Sequence, residues 1–309
     1  MTAAPLLKLG TRRSPLAMAQ AEEARARLCA AHGWEAEAVE LVPVTASGDK
    51  VQDRPLAELG GKALWTRELD LHLAEGTIDA AAHSLKDVET WRPDSLALAA
   101  ILPRADKRDV LIGAASLAAL PKGATIGTGA PRRAAQALNA RPDCRVVSFR
   151  GNVATRLARL AAGEADATFL AAAGLQRLGL TGTGTPLDPA QWLPAPAQGA
   201  IAIECRASDQ RVRQWLAAID HAPSRAEVTA ERALLAALGG SCHSPVAVLC
   251  DLAGDRLAMR AALFSPDGAE RTDGAATFAA DDIEGPARLA ADLLARATPG
   301  IAAHFAGPR

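Results

Sequence analysis

The sequence is poor in the side chains that stack on nucleic-acid bases. It has no tyrosine, five phenylalanines and five tryptophans, so aromatic residues make up 3% of the 309 residues. The 34 basic residues are balanced by 35 acidic ones, which gives a net charge of −1. A non-specific nucleic-acid binder would carry a clear basic excess and aromatic stacking platforms. We therefore expect no nucleic-acid partner.

Long apolar runs are also missing. The longest, Leu96 to Leu102, has seven residues, whereas a membrane-spanning helix needs about 18 or more. Charged residues at 8, 12 and 13 interrupt the stretch where a signal peptide would be apolar. The five cysteines are odd in number and dispersed, which argues against a disulfide scaffold and for a reducing compartment. We expect a soluble, cytoplasmic protein with no membrane partner.

Short apolar segments alternate with helical patterns over the first two thirds of the chain. This alternation predicts α/β domains with mixed, mainly parallel sheets. Ser14-Pro15 predicts the start of a helix that ends near Gly33. After Ser224 the pattern becomes a long helix, apolar strands with Asp-Gly turns at 267–268 and 273–274, and a closing helix, which predicts a small C-terminal α+β domain. Two Pro/Gly-rich stretches, 91–103 and 181–199, are predicted hinges or crossings.

The basic residues are unevenly distributed. Between residues 130 and 180 there are eight arginines, no lysine and three acidic residues, a local charge of +5. Cations at a helix start are disfavoured by roughly 0.3–1 kcal/mol, and an anionic ligand would offset that cost. Arg binds carboxylates through two parallel hydrogen bonds, so the pattern favours a polycarboxylate site. The arginines at predicted helix starts are Arg12, Arg13, Arg132, Arg133 and Arg150; Arg141, Arg145 and Arg159 fit solvated helix faces or compositional bias.

Two further residues are candidates for chemistry. Asp87 follows a predicted strand and could stabilise a cation or move a proton, or it could simply form a turn or helix cap. Cys242 follows two glycines and precedes His243, so it could be a nucleophile, a metal ligand, an attachment point or an inert thiol. No paired Cys/His spacing completes a zinc site, so we expect no metal.

Taken together, the motifs resemble the porphobilinogen deaminase (hydroxymethylbilane synthase) family from about Leu6 to Ala297. Any one of them is a weak signal, but their order and spacing are highly specific. The segments that carry the resemblance are 11–17 (TRRSPLA), 60–65 (GGKALW), 83–88 (HSLKDV), 131–133 (PRR), 150–153 (RGNV), 173–179 (AGLQRLG), 198–206 (QGAIAIECR), 231–232 (ER) and the Cys242 loop.

The resemblance implies two similar lobes, like the halves of periplasmic binding proteins, and a C-terminal domain that carries the cysteine. Lobe 1 would comprise residues 1–102 and 199–219, lobe 2 residues 103–198, and the C-terminal α+β domain residues 220–309. The expected activity is a deaminating transfer. Four porphobilinogen molecules condense head to tail with loss of ammonia, and hydrolysis then releases the linear tetrapyrrole. A monomer is the family expectation.

The resemblance also implies residue roles. Cys242 would hold a dipyrromethane cofactor through a thioether, and Asp87 would assist deamination and stabilise cationic intermediates. The implied residues that bind the cofactor, porphobilinogen and the growing polypyrrole chain are Arg12, Lys86, Arg132, Arg133, Arg150, Arg156 and Arg177, with Lys62 and Gln198 near the cleft. Thr128 is the side-chain hydroxyl that could replace the family's serine contacts to the cofactor. We expect the loop from Thr45 to Gly61 to be a mobile cover.

The sequence departs from the family pattern at a few positions. Thr128-Gly129-Ala130-Pro131 replaces a common Ser-Ser-Leu run, Trp65 replaces a common Phe, and Glu89 replaces a usual Pro. The alternative of another class is a non-catalytic, two-lobed polycarboxylate-binding protein, which would have no use for Cys242.

Overall fold

The structure is a computed structural model of the chain, and it describes residues 4–45 and 66–305. Lys62, Trp65 and the expected cover beyond Thr45 lie outside the described residues. The first helices and strands, in chain order, are β1 (Leu7–Arg12), α1 (Pro15–His32), β2 (Val39–Val44), α2 (Arg67–Ala74), β3 (Ala80–Ser84), β4 (Leu96–Ile101), β5 (Asp109–Ile112), β6 (Thr125–Gly127), α3 (Pro131–Ala140), β7 (Arg145–Val147), α4 (Val153–Ala161), β8 (Ala167–Ala171), α5 (Ala172–Arg177) and β9 (Thr185–Pro186).

The rest of the described chain continues this alternation and then becomes α+β. Its helices and strands are β10 (Ile201–Arg206), α6 (Gln210–Ala217), α7 (Ala222–Ala237), β11 (Val246–Ala253), β12 (Arg256–Phe264), β13 (Arg271–Ala279), α8 (Gly285–Arg296) and α9 (Pro299–Ala302).

Two five-stranded sheets share one strand arrangement. Their orders are β2-β1-β3-β10-β4 and β7-β6-β8-β5-β9. In each sheet the first three strands are parallel, and the fourth is antiparallel to both of its neighbours. Four of the five strands therefore point the same way. This confirms the prediction of two similar α/β lobes with mixed, mainly parallel sheets.

The described chain divides into two compact units. The first contains the described residues up to Ala105 together with Ala200–Arg225, and the second contains Asp106–Gly199 and residues 226–305. The antiparallel strands β5 and β10 each follow one of the two Pro/Gly-rich stretches, close to the points where the chain changes unit. The boundaries 102, 198 and 219 drawn from the sequence stay a prediction.

A three-stranded antiparallel sheet, β11-β12-β13, forms the C-terminal part of the second unit. One face packs against α7 and α8, through Leu234 and Leu293 among others. On the other face, Ala247 and Phe264 pack against Ala135 and Leu193. The predicted C-terminal α+β domain is confirmed, and its sheet buries apolar side chains on both faces. No helix within the described residues is long and apolar enough to cross a membrane.

The turn predicted at Asp273-Gly274 is wrong. Both residues lie inside β13, paired with Ala262 and Ala261 of β12. A Cβ atom on Gly274 would lie 2.9 Å from Cδ2 of Leu293, so the glycine lets α8 approach the strand closely. The other Asp-Gly pair does form the turn before β13, since Gly268 has a φ of 72°.

The helix starts that position the site follow local sequence signals. The Ser14 side chain caps α1 by accepting a hydrogen bond from the Ala17 N–H at 3.3 Å. Gly33 ends the helix with a left-handed φ of 65°, as the sequence predicts. In the second unit Asn152 caps α4 through the Thr155 N–H at 2.9 Å.

Candidate active site

A pocket in the first unit contains Asp87. This residue ends a 3-10 turn, Leu85–Asp87, that directly follows β3. Open α/β sheets place ligands beyond the carboxyl ends of their strands, and β3 ends at this position. The pocket is lined by Arg12, Ser14, Leu16, Ala17, Gln20, Thr66, Ala82, His83, Ser84, Asp87 and Val88. The structure therefore brings together two predicted site residues, Arg12 and Asp87, and Lys86 precedes Asp87 in the same turn.

Gln20 and Ser84 contribute a polar part of this pocket that the sequence reasoning missed. The Gln20 Nε2 atom lies 2.8 Å from Ser84 Oγ, and the Ser84 hydroxyl lies 3.0 Å from Gln20 Oε1. Gln20 is 4% exposed and comes from the α1 face that packs on the sheet. The signal in the sequence is a polar residue, Gln20, placed on the otherwise apolar face of the predicted helix.

A buried ionic network lies beside the pocket. Glu204 on β10 is fully buried and accepts hydrogen bonds from Arg92 Nε at 2.9 Å and NH2 at 2.7 Å. The same NH2 group also reaches Asp70, and NH1 reaches Glu89. Burial alone would raise the pKa of Glu204, but His83 and Arg92 lower it to about 2. Glu204 is therefore ionised at neutral pH.

This network gives a reason for the departure at position 89. The Glu89 carboxylate accepts hydrogen bonds from Thr66 Oγ1 and Arg92 NH1, both at 2.8 Å. A proline could not make these bonds. Glu89 thus helps to hold the Arg92 guanidinium that binds Glu204.

The paired arginines of the second unit surround one buried carboxylate. Asp109, at the start of β5, is fully buried. Its Oδ2 lies 2.8 Å from Arg132 NH1, and its Oδ1 accepts a hydrogen bond from Arg133 NH2 at 2.7 Å. Trp192 Nε1 and Gln198 Nε2 also donate to Asp109, at 2.8 Å and 2.9 Å. Burial would raise the pKa of Asp109, but the charges of the two arginines hold it well below its usual range.

Asp109 corrects part of the charge argument from the sequence. The anion that offsets the two cations at the start of α3 is the protein's own, 24 residues before Arg133. One carboxylate opposes two guanidinium groups, so a positive charge remains. Among the described residues, the buried Nε atoms of Arg132 and Arg133 have no hydrogen-bond partner.

Gln198 and Thr128, two more predicted binding residues, are buried in the second unit. Besides Asp109, the Gln198 amide donates to the Lys107 carbonyl at 2.9 Å. Gln198 follows Ala197, whose φ of 58° is left-handed and whose N–H donates to Glu231 Oε2 at 2.6 Å. Thr128 is 5% exposed, and its hydroxyl accepts the Ala130 N–H at 3.2 Å.

Gly129 has a steric reason to lack a side chain. A Cβ atom there would lie 3.0 Å from the Phe149 carbonyl oxygen and 3.5 Å from Cγ of Arg150. The glycine therefore lets the β6–α3 turn approach the segment that carries Arg150.

The other predicted arginines of the second unit are half-buried. Arg156 Nε donates to the Gly151 carbonyl at 3.0 Å, and Arg177 NH2 donates to the Gly199 carbonyl at 3.2 Å. Arg141 and Arg159 are half-buried as well, and they pair with Asp143 and Glu164. Of the three arginines assigned to solvated helix faces or compositional bias, Arg145 is exposed.

Cys242 lies on an exposed loop between α7 and β11 of the second unit. The Ser241 N–H donates to Ser244 Oγ at 3.0 Å, and the His243 N–H donates to Ser241 Oγ at 3.2 Å. A Cβ atom on Gly240 would lie 2.7 Å from Cδ1 of Leu235, so the loop approaches α7 closely at this position. None of the five cysteines, all of which the structure describes, forms a disulfide.

The residues of the second unit fit a covalently held polycarboxylate. Cys242 is exposed, and buried guanidinium Nε atoms lack partners among the described residues. No cluster of His, Cys, Asp and Glu suited to a metal ion occurs in residues 4–45 and 66–305. Fold and site together define a two-lobed α/β protein with buried, clustered arginines and an exposed cysteine.

Comparisons with known proteins identify the family. A family profile described as "Porphobilinogen deaminase, dipyromethane cofactor binding domain" matches residues 7–214, and "Porphobilinogen deaminase, C-terminal domain" matches residues 225–296. A porphobilinogen deaminase of Sphingopyxis alaskensis is 56% identical over 97% of this chain and 96% of its own length. One from Nitrobacter winogradskyi is 50% identical over 86% of this chain and 85% of its own. The chain belongs to the porphobilinogen deaminase family.

Family membership establishes the class of activity. The chain is a transferase of tetrapyrrole biosynthesis that condenses porphobilinogen with loss of ammonia and uses a dipyrromethane cofactor. The alternative of a non-catalytic binding protein is not favoured. Among solved structures, a periplasmic substrate-binding protein of an ABC transporter from Coxiella burnetii has a TM-score of 0.43 at 16% identity, covering 71% of this chain and 93% of that one.

Proposed function

We propose that Asp87 is the catalytic carboxylate of this porphobilinogen deaminase and that Cys242 is the attachment residue of its cofactor. The observation that carries the first assignment is the pocket of the first unit, which Asp87 lines together with Arg12. An anion beside the reacting carbon stabilises the positive charge that develops when ammonia leaves. The exposure of Cys242 on a turn built from Gly240 and Ser244 supports the second assignment.

Arg12 and Lys86 bind substrate carboxylates in the first unit. Porphobilinogen carries an acetate and a propionate, and charge-assisted hydrogen bonds from Arg hold such groups in a fixed orientation. Arg12 lines the Asp87 pocket, and the Lys86 and Asp87 backbones share one turn. A cation beside the carboxylates and an anion beside the reacting carbon orient the substrate. Lys62 is proposed to assist on the strength of the family resemblance.

The arginines of the second unit hold the carboxylates of the cofactor and of the growing chain. Arg132 and Arg133 share Asp109 and keep buried Nε atoms without described partners, which supports anion binding beyond Asp109. Gln198 acts by positioning these arginines, since its amide donates to Asp109. The remaining members of this group are Arg150, Arg156, Arg177 and Thr128, whose hydroxyl accepts the Ala130 N–H and shapes the start of α3.

When bound, the dipyrromethane supplies the pyrrole carbon on which the chain is extended. The protein's own residues do the rest: Cys242 anchors the cofactor, the arginines neutralise carboxylates, and Asp87 stabilises the cation. We also propose that the protein is a monomer with the three domains drawn from the sequence, and that it is cytoplasmic. The five dispersed cysteines, none of which forms a disulfide, support the cytoplasmic compartment.

Asp87→Asn tests the catalytic assignment, because it keeps the shape of the side chain and removes its charge. We expect turnover to fall at least about a hundredfold while cofactor loading and thermal stability stay near wild type. Asp79→Asn, in the same unit, is the control; its carboxylate accepts the Lys8 N–H, so its loss can affect stability but not turnover. Full turnover in Asp87→Asn would contradict the assignment.

A further inference from the structure

His83 is the titratable residue of the Asp87 pocket to which neither the family resemblance nor the proposed function gives a role. It lies on β3, is 5% exposed, and lines the pocket with Asp87 and Arg12. Its Nε2 atom is fully buried and has no hydrogen-bond partner among the described residues. The Glu204 Oε2 atom lies 3.5 Å from it, at the long limit of a hydrogen bond.

Strand pairing explains why His83 and Glu204 meet. His83 is directly opposite Ala202 on antiparallel β10, and Glu204 is opposite Ala81. Side chains two residues apart on a strand share one face, so His83 and Glu204 are diagonal neighbours on the same face of the sheet. Arg92 binds both oxygens of Glu204 and fixes the carboxylate in place.

The carboxylate determines which ring nitrogen of His83 carries the proton. A bare Nε2 lone pair facing an ionised carboxylate would be repelled, whereas an Nε2–H is attracted to it. A carboxylate behind a histidine fixes the tautomer in this way in many sites. In the neutral ring, Nδ1 then has no proton and acts as a hydrogen-bond acceptor.

We propose that His83 presents its Nδ1 acceptor to the Asp87 pocket and binds an N–H group of porphobilinogen there, with Glu204 and Arg92 as the residues that position its ring. This inference rests on the proposed function, since it takes the Asp87 pocket as the substrate site. The charged groups around His83 are Glu204, with the Arg92 that binds it, and Arg12 and Asp87 in the pocket. Porphobilinogen offers N–H donors in its pyrrole ring and its aminomethyl group, so a second acceptor beside Asp87 suits it. Arg12 serves the carboxylates of the same molecule.

The competing explanation is that His83 only ties β3 to β10 through Glu204. The two explanations predict opposite results for two substitutions, because the amide of Asn takes the place of Nδ1 and the amide of Gln takes the place of Nε2. His83→Asn keeps an acceptor near the pocket and loses the contact with Glu204. His83→Gln keeps a donor towards Glu204 and loses the pocket acceptor.

We expect His83→Gln to lower kcat/KM for porphobilinogen by roughly 10- to 150-fold, the usual effect of losing a hydrogen bond to a charged group. His83→Asn should retain clearly more activity than His83→Gln, since it keeps the acceptor. His32→Gln and His32→Asn are the matched controls, because His32 lies in the same unit with its Nε2 atom 2.9 Å from the Trp215 carbonyl oxygen, outside the pocket lining. The reverse order, or full activity in both His83 variants, would overturn the proposal.

A spectroscopic measurement on the holoenzyme covers the case in which both variants are inactive. The chain has six histidines, and the His83 signals in a ¹⁵N-imidazole NMR spectrum are those missing from His83→Gln. We expect the Nε2–H tautomer with an unprotonated Nδ1; an Nδ1–H tautomer would overturn the proposal. Full activity of Asp87→Asn would instead contradict the proposed site itself, so the two failures are distinguishable.

Discussion

The guanidinium of Arg133 donates a hydrogen bond to Asp109 at 2.7 Å, and both side chains are buried in the second unit. Arg132 approaches the other oxygen of the same carboxylate at 2.8 Å. The arginine pair that marks the family in sequence is therefore held by a residue outside the motif. Its orientation depends on Asp109, Trp192 and Gln198.

Removing the charge of Asp109 tests this dependence. Asp109→Asn leaves two buried guanidinium groups without their anion, so we expect the free energy of unfolding to fall by about 3–5 kcal/mol. The fraction of protein that carries the cofactor should fall too, because the arginines lose their fixed orientation. Urea denaturation and intact mass measure the two effects.

Asp143→Asn is the control for Asp109. Asp143 also pairs with an arginine, Arg141, but both side chains are partly exposed to solvent, where an ion pair contributes less than a buried one. We expect near wild-type stability and cofactor loading from it. A wild-type unfolding curve and full loading in Asp109→Asn would show that Asp109 does not hold the paired arginines.

The Glu204–Arg92 pair predicts a pH dependence in the first unit. Because the pKa of Glu204 is lowered to about 2, its stabilising contribution is complete above the ordinary value of about 4.3. The contribution is lost as the pH falls from there through the folded value. Arg92→Met leaves the buried carboxylate without its partner and should cost about 3–5 kcal/mol at neutral pH.

The stability difference between Arg92→Met and wild type should shrink as the pH falls below about 4, since a protonated Glu204 no longer needs a cation. Arg108→Met is the control, because Arg108 pairs with Asp106 at the surface. Urea denaturation from neutral to acidic pH measures both. A difference that stays constant with pH would contradict the role given to this pair.

Ser14→Ala tests the start of α1, which adjoins the pocket. The variant loses the side-chain cap on the Ala17 N–H, so we expect a loss of about 1 kcal/mol in the free energy of unfolding. KM for porphobilinogen should rise as well, because Ser14 lines the pocket with Arg12. Asn152→Ala removes the corresponding cap of α4 in the second unit; it should cost as much stability without acting on that pocket. Equal kinetic effects from both caps would contradict the placement of Ser14.

Local signals predicted much of the fold. The signals that start and end α1, Ser14-Pro15 and Gly33, are local in the sequence, and the structure confirms the helix between them. The two lobes follow from strands alternating with helices. Gly274 was misassigned because its reason is the approach of Leu293, a residue of another helix.

The site was predictable where a motif carried it and not where partners are distant in sequence. Asp87 and Cys242 stand in motifs. Asp109 carries no local mark of its role, and it meets Gln198 across 89 residues. Glu204 likewise meets Arg92 across 112 residues. Such pairs depend on which strands become neighbours, and the linear pattern does not specify that.

The intact mass of the freshly purified protein tests the central claim most directly. We expect the wild-type chain to carry one adduct of dipyrromethane mass, and the adduct to be absent from Cys242→Ala and retained in Cys29→Ala. Added porphobilinogen should extend the wild-type adduct by up to four units. An unmodified wild-type chain, or an adduct that survives in Cys242→Ala, would contradict the account.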